Sequence, residues 1–251
     1  MIVDLDWDEL LELADLAALR AGVALKEHRF DWSGVDAEEG REVKVRADIR
    51  AEELILDTLT KLSPYPILSE EKGWTSEADR AVVWVVDPLD GSVNYILGYP
   101  HCAVSIALAV NGKPMLGVVY NFLLEEHFSG VVGRGAKLNG RSIKVSDVKD
   151  PARGVLNTGI PARAQSEAAA FGDFMDEMRR WRKVRMIGSA ACALANVAAG
   201  RADRYREMGA MLWDVAAGCA LVEAAGGRVA IEGAALDKPL VVEADNGVVG
   251  R

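Results

Sequence analysis

Asp87-Pro88-Leu89-Asp90-Gly91-Ser92 follows directly on the apolar run Ala81-Val82-Val83-Trp84-Val85-Val86. The run is continuous, β-branched and closed by proline and glycine, so it reads as a buried β-strand. Two carboxylates three residues apart then stand where the strand stops, with a glycine and a hydroxyl behind them. Side chains at a strand end are held rigidly yet reach solvent, which a metal site requires. Pro88 restricts the turn by fixing φ and removing an N–H. Gly91 allows close backbone approach to a ligand, and its N–H with that of Ser92 can face a phosphate. Hard divalent cations such as Mg²⁺ take carboxylate, carbonyl and water oxygens. The fragment reads as a metal-phosphate cradle; the competing reading is an acidic turn that caps a helix.

The same logic recurs elsewhere. Ser69-Glu70-Glu71 puts carboxylates after the short strand Tyr65-Pro66-Ile67-Leu68, and Arg46-Ala47-Asp48 puts one at a helix start. Trp213-Asp214-Val215-Ala216-Ala217-Gly218 puts another at the start of a helix ending in Ala225-Gly226-Gly227. Each has a bland alternative, a capping aspartate or a solvated glutamate pair.

Around these segments, hydrophobic spacing predicts a helix over Trp7 to about Lys26, with Leu10, Leu13, Ala14, Ala17, Ala21 and Leu25 near one face. A second helix is expected from about Asp48 to Leu62, and residues 31–43 read as an acidic surface loop or hairpin. Asn111-Gly112 between two apolar runs is a hairpin signal, and a further hairpin-like segment runs from Phe128 to Gly140. The second half is expected to alternate: strands at Gly154–Thr158, Val184–Ile187, Arg228–Ile231 and Leu240–Val242, helices at Glu167–Trp181, Ser189–Ala199 and Leu212–Ala225. The fold class is α/β (α+β layered), with helix layers alternating with mixed sheets. A boundary is expected at the polar stretch 140–153, dividing an N-terminal α+β subdomain (1–145) from a C-terminal α/β subdomain (146–251).

The net charge of −9 over 251 residues argues against nucleic acid as the main partner. It also repels a phosphorylated substrate, so bound cations must reverse the local sign if one binds. The longest apolar stretches fall short of a membrane span. The N-terminus is acidic without a basic flank, and Cys102, Cys192 and Cys219 lack metal-like spacing. The expectation is a cytoplasmic protein with buried thiols and no membrane partner. His101 and His127 read as packed or surface histidines.

Together the motifs resemble the inositol monophosphatase family, the lithium-sensitive, Mg²⁺-dependent sugar phosphatases that include the archaeal fructose-1,6-bisphosphatases. The anchors are Ala47-Asp48 with Ala51-Glu52, Ser69-Glu70-Glu71, Trp84 to Tyr95, Gly133-Arg134-Gly135-Ala136 with Asn139-Gly140, Gly188-Ser189-Ala190-Ala191, and Glu207-Met208-Gly209 leading to Trp213-Asp214. The resemblance implies that family's layered fold, two or three Mg²⁺ per site and a homodimer. It implies Glu70, Asp87 and the Leu89 carbonyl as ligands of one ion, Asp87, Asp90 and Asp214 as ligands of a second, and a weaker third near Glu70. Asp48, Ser92 and Glu70 match the catalytic positions; Ser92 stands where the family usually has threonine and, with Asp48, orients the attacking water. Asp90, Gly91, Ser92, Ala190, Glu207 and Asp214 match substrate contacts, the amides of Gly91 and Ser92 facing phosphate.

The implied activity is phosphomonoester hydrolysis of a small phosphorylated polyol or sugar, with inhibition by Li⁺. Inositol-1-phosphate leads, and fructose-1,6-bisphosphate stays open as a second substrate. A 3′(2′),5′-bisphosphate nucleotidase or histidinol-phosphate phosphatase of the same fold is the alternative, and a catalytically silent binding module is the reading from another class. No cysteine or histidine is placed as a phospho-acceptor, which favours direct attack by water. A second phosphate would need a cation: Arg163, Arg185, Arg204 and Arg206 are candidates, as are Lys26, Arg29 and Lys44 for a basic residue serving the 31–43 segment.

Overall fold

The computed structural model describes residues 5–39, 42–76, 80–160, 175–233 and 235–251, with backbone alone over 35–39 and 42–45. Asp6 caps the first helix, α1 (Trp7–Glu27), by accepting from the amides of Asp8 and Glu9, both at 3.1 Å. All six positions expected on its apolar face are buried. A helical turn α2 (Arg29–Trp32) and a hairpin of β1 (Val35–Glu39) and β2 (Glu42–Val45) follow. The next helix, α3 (Arg46–Leu62), begins two residues before its expected start, so Asp48 lies within its first turn.

Eight strands form the larger sheet among the described residues. They are β3 (Ile67–Ser69), β4 (Gly73–Trp74), β5 (Val82–Asp90), β6 (Ala103–Val110), β7 (Lys113–Asn121), β8 (Glu126–Val131), β9 (Gly135–Leu138) and β10 (Arg141–Ile143), in the spatial order β10-β9-β8-β7-β6-β5-β3-β4. Only the β3–β5 pairing is parallel. Asn111 and Gly112, with φ of 51° and 78°, make the β6–β7 turn, the left-handed pair a two-residue hairpin demands.

β5 is buried on both faces, and its alternation sorts two cores. Val82, Trp84 and Val86 pack under α1 and α3, while Val83 and Val85 face the second half of the chain. Trp84 is fully buried and donates its indole N–H to Ser63 Oγ at 2.9 Å. Truncating it to alanine is expected to cost ~3–5 kcal/mol.

The opposite face of the sheet carries α5 (Ala190–Ala198) and α6 (Leu212–Ala224), after the short helix α4 (Ser92–Leu97) that follows β5. Small residues let these layers close: a Cβ on Gly117 would meet the Ala217 backbone, its Cα at 3.0 Å. Beyond them lies a five-stranded sheet of β11 (Val155–Thr158), β12 (Lys183–Arg185), β13 (Arg204–Ala210), β14 (Arg228–Glu232) and β15 (Leu240–Asp245), ordered β12-β11-β13-β15-β14. β11 pairs in parallel with β12 and β13, and the others are antiparallel. The architecture is thus helix, sheet, helix, sheet.

One strand end departs from the expectation, one strand was not foreseen, and one expected helix lies largely outside the described residues. The strand expected to end before Asp87 runs through Asp90. β13, at the centre of the second sheet, carries the polar sequence RYREMGA and has no apolar alternation to announce it; backbone pairing on both sides holds it there. The helix expected over 167–181 falls largely outside the described residues, where 175–179 are helical. Among the described residues no helix is long and apolar enough to cross a membrane.

Candidate active site

A cavity of about 440 Å³ opens between the two sheets, where the end of β5, the starts of α4, α5 and α6, and strand β13 meet. Glu70, Asp87, Leu89, Asp90 and Asp214 line it, with Gly91, Ser92, Ala190 and Glu207. Every expected site residue except Asp48 therefore reaches one space, and Asp48 stands directly behind Ser92.

The Asp87–Asp90 spacing is explained by the strand pairing. In a regular strand, residues three apart point to opposite faces. Here Asp87 pairs with Ser105 and Asp90 with Ala103, so three steps on β5 match two on β6. The extra residue is a β-bulge, which resets the alternation and turns both carboxylates to the same face. Pro88, without an N–H, sits where the ladder is interrupted. That face looks toward α6, whose Trp213 carbonyl accepts from Ser105 Oγ at 3.3 Å.

Gly91 follows with φ of +90°, and a Cβ there would lie 2.8 Å from the His101 carbonyl and 3.2 Å from that of Gly188. Glycine is thus demanded by the chain's own packing, where the sequence suggested room for a ligand. Ser92 begins α4; its hydroxyl lies 3.0 Å from Asp48 Oδ1 and 3.1 Å from the Leu89 carbonyl. A single hydroxyl hydrogen serves one of these acceptors at a time. Asp48 itself is buried.

Asp90 joins the two halves of the molecule. It accepts from the Ser189 hydroxyl and from the amides of Ala191 at 2.8 Å and Ala190 at 3.3 Å, seating it on the amino end of α5. Asp214 is both things its sequence position allowed: it lines the cavity and accepts from the Met211 amide at 2.8 Å as a helix-capping group. Glu207 accepts from the Tyr205 hydroxyl at 2.7 Å, and its carboxylate fills the space a side chain on Gly159 would need.

The carboxyls crowd. Burial, followed by the charges of Glu70, Asp90 and Asp214, pushes Asp87 well above the usual carboxylate range. Desolvation in the cleft and then the charges of Asp214, Asp48 and Glu71 do the same to Glu70. Glu70 still exposes surface at the cleft mouth, so charge crowding is the part that survives the entry of water. Burial raises Asp90 to about 6 against the hydrogen bonds from Ser189, Ala191 and Ala190. Glu207 also reaches about 6 by burial.

This donor set fits a divalent cation. Its atoms are hard oxygens, and Glu70, Asp87 and Asp90 resist ionising until positive charge arrives. Among the described residues no three His, Cys, Asp or Glu side chains form a group that could hold a metal ion as they stand, so an arriving cation would have to draw them together. No lysine or arginine lines the cavity among the described residues. Arg204 is held by Glu177 and Asp245, both at 3.4 Å, and Arg206 by Glu243 at 3.0 Å. Lys26 pairs with Glu125, and Arg29 donates to the Tyr95 carbonyl. Neither Arg185, on edge strand β12, nor these other described cations line the cavity; Arg163 and the Lys44 side chain lie outside the described residues.

Several cavity residues had no role from sequence. Ser189 anchors Asp90 and caps α5, and Tyr205 holds Glu207. Thr158, Ile160 and Met186 complete the wall. Only Ser189, a serine directly before a small-residue helix, carried a readable signal.

Comparison with known proteins agrees with this geometry. A family model described as the inositol monophosphatase family matches residues 6–251. Nus factor SuhB of Xylella fastidiosa is 45% identical over 184 residues, 72% of this chain and 66% of that protein. Nus factor SuhB of Escherichia coli strain K12 is 38% identical over 224 residues, 88% of this chain and 84% of that protein. The solved inositol monophosphatase from Anabaena (Nostoc) superposes with a TM-score of 0.84 at 36% identity, covering 97% of this chain and 93% of that one. The Thermotoga maritima inositol monophosphatase gives 0.80 at 31% identity, covering 96% and 93%.

Proposed function

Because the chain belongs to the inositol monophosphatase family, we propose that it is a Mg²⁺-dependent phosphomonoesterase acting on inositol-1-phosphate. The observation that carries this is the convergence of Glu70, Asp87, Asp90 and Asp214 on one cavity that no described lysine or arginine lines. Among the described residues nothing else brings positive charge to an anionic substrate there, so metal cations would supply it.

Glu70, Asp87 and the Leu89 carbonyl would hold one Mg²⁺; Asp87, Asp90 and Asp214 would hold a second. When bound, the ions supply charge that neutralises the phosphate, acidifies water and stabilises the departing oxygen. The chain's own groups supply orientation. Ser92, donating to Asp48, turns its lone pairs to the cavity, where they accept a hydrogen from the attacking water. That arrangement also leaves the Leu89 carbonyl free for a cation. The amides of Gly91 and Ser92 face phosphate oxygens, and the Glu207 oxygen not bonded to Tyr205 accepts from a ring hydroxyl. Little covalent work remains for side chains, as in phosphoryl transfer generally.

Among the described residues no lysine or arginine stands in the cavity to meet a second phosphate, which favours a monophosphate over fructose-1,6-bisphosphate or a bisphosphate nucleotide. A homodimer belongs to the same proposal on resemblance alone. Phosphate release from inositol-1-phosphate, fructose-1,6-bisphosphate, adenosine 3′,5′-bisphosphate and histidinol phosphate, with Mg²⁺ or with chelator, tests it. The expected result is Mg²⁺-dependent release, fastest from inositol-1-phosphate. Release that ignores the chelator would remove the metal mechanism, and preference for the nucleotide would reverse the substrate ranking.

The relatives named Nus factor SuhB favour a second reading, that this chain also serves as a Nus factor. Replacing the Escherichia coli protein with an Asp90→Asn form of this chain tests whether such a role stands apart from hydrolysis.

A further inference from the structure

Glu52 lies one turn beyond Asp48 on α3, on the same face, because residues four apart stack along a helix. It is 1% exposed. One carboxylate oxygen, Oε1, accepts from the Ser69 hydroxyl and from the Lys72 amide at 3.1 Å. The other, Oε2, is buried without a hydrogen-bond partner among the described residues, and the Lys72 ammonium stands 3.9 Å away. Its two partners thus bracket Glu70, Ser69 directly before it and Lys72 two residues after.

A buried carboxylate with one oxygen unsatisfied is a costly way to fill a helix–sheet gap. Its position explains the cost. Glu70 sits in the turn after β3, exposed at the cleft mouth and facing the like charges of Asp214, Asp48 and Glu71. Repulsion alone would swing that turn into solvent. The Glu70 amide is tied back to the Val86 carbonyl at 3.1 Å, and the pairing of Ser69 with Gly73 closes the turn between β3 and β4. Glu52 adds the tie to α3, through Ser69 and Lys72.

We propose that Glu52 is a positioning residue: it fastens the turn carrying Glu70 to the helix carrying Asp48, so that both face the cavity in one fixed relation. The inference rests on the reading of Glu70 as an ion-holding carboxylate, and it adds a function for a residue that touches neither ion nor substrate.

The test is a calorimetric titration of Mn²⁺ into the substrate-free full chain, together with the Mg²⁺ dependence of hydrolysis. Glu52→Ala is expected to weaken Mn²⁺ binding ~10-fold or more, the usual cost of losing a group that orients a ligand. The Mg²⁺ needed for half-maximal rate should rise similarly, while the substrate KM at saturating Mg²⁺ holds. Glu52→Gln, which keeps an acceptor for Ser69 and Lys72, should recover most of the affinity. Leu59→Ala, in the core of the same helix, should lower the melting temperature without changing Mn²⁺ affinity. If Glu52→Ala does not fold, Ser69→Ala removes one tether and is expected to weaken Mn²⁺ binding in the same direction. Wild-type Mn²⁺ affinity in the variant tested, beside weakened affinity in Glu70→Gln, overturns the role of Glu52 alone. Unchanged affinity in Glu70→Gln overturns the reading of the cleft and this proposal with it.

Discussion

Asp48 and Ser92, 44 residues apart in the chain, are joined by a 3.0 Å hydrogen bond from the serine hydroxyl to the aspartate Oδ1. The bond links the first turn of α3 to the first residue of α4. Removing the hydroxyl in Ser92→Ala should lower kcat ~10²–10⁴-fold, the range for losing a positioned proton-transfer group. Ser92→Thr keeps the hydroxyl and restricts its rotation, so it should stay within a few-fold of the native rate. Steady-state kinetics at saturating Mg²⁺ decide; equal losses in both variants would remove the serine from the mechanism.

The raised carboxyls make the stability of the metal-free chain depend on pH in an unusual sense. Asp90 titrates near 6 when folded and near 3.8 when unfolded, so between those values the folded state binds more protons. Stability therefore falls as pH rises through this window, on the order of 3 kcal/mol from this group alone. Glu207 acts in the same direction, as do Glu70 and Asp87. In chelator the melting temperature should be higher at pH 5 than at pH 7.5. Mg²⁺ should raise it more at pH 7.5, where the carboxylates are ionised. Scanning calorimetry at the two pH values, with and without Mg²⁺, checks both signs.

What could be read from sequence followed from local rules. α1 and α3 announced themselves by apolar spacing, and the β6–β7 turn by Asn111-Gly112, because these elements obey near-neighbour geometry. The four carboxylates were legible as a group only through the motifs around them. Their convergence was implied by the resemblance and not by local spacing, because a spacing of three on a strand points opposite ways until a bulge corrects it, and the bulge depends on pairing with Ser105 and Ala103. β13 escaped for the same kind of reason: Arg204, Arg206 and Glu207 look like a polar loop until partner strands flank them. The arginines offered for a second phosphate could not be sorted either, since Glu177, Asp245 and Glu243 claim two of them through distant tertiary contacts.

Gly91 couples the phosphate-facing turn to the second half of the molecule. With φ at +90° and the His101 carbonyl 2.8 Å from the place of a Cβ, Gly91→Ala must both strain the backbone and push α4 away from residues 101 and 188. A loss of ~1–3 kcal/mol in unfolding free energy is expected. Activity should fall further than stability explains, because Ser92 moves with the turn. Chemical denaturation read beside kcat separates the two effects.

Substrate choice should respond to a cation placed at the rim. Met186 is about half exposed on the cavity wall, so an arginine there can reach a second phosphate without disturbing the carboxylates. An exposed ion pair contributes at most ~1 kcal/mol, about five-fold in a rate ratio. Met186→Arg should therefore raise kcat/KM for fructose-1,6-bisphosphate relative to inositol-1-phosphate by up to about that factor, and the gain should shrink as salt screens the pair. An unchanged ratio at low ionic strength would mean that the want of a cation among the described cavity residues is not what limits bisphosphate turnover.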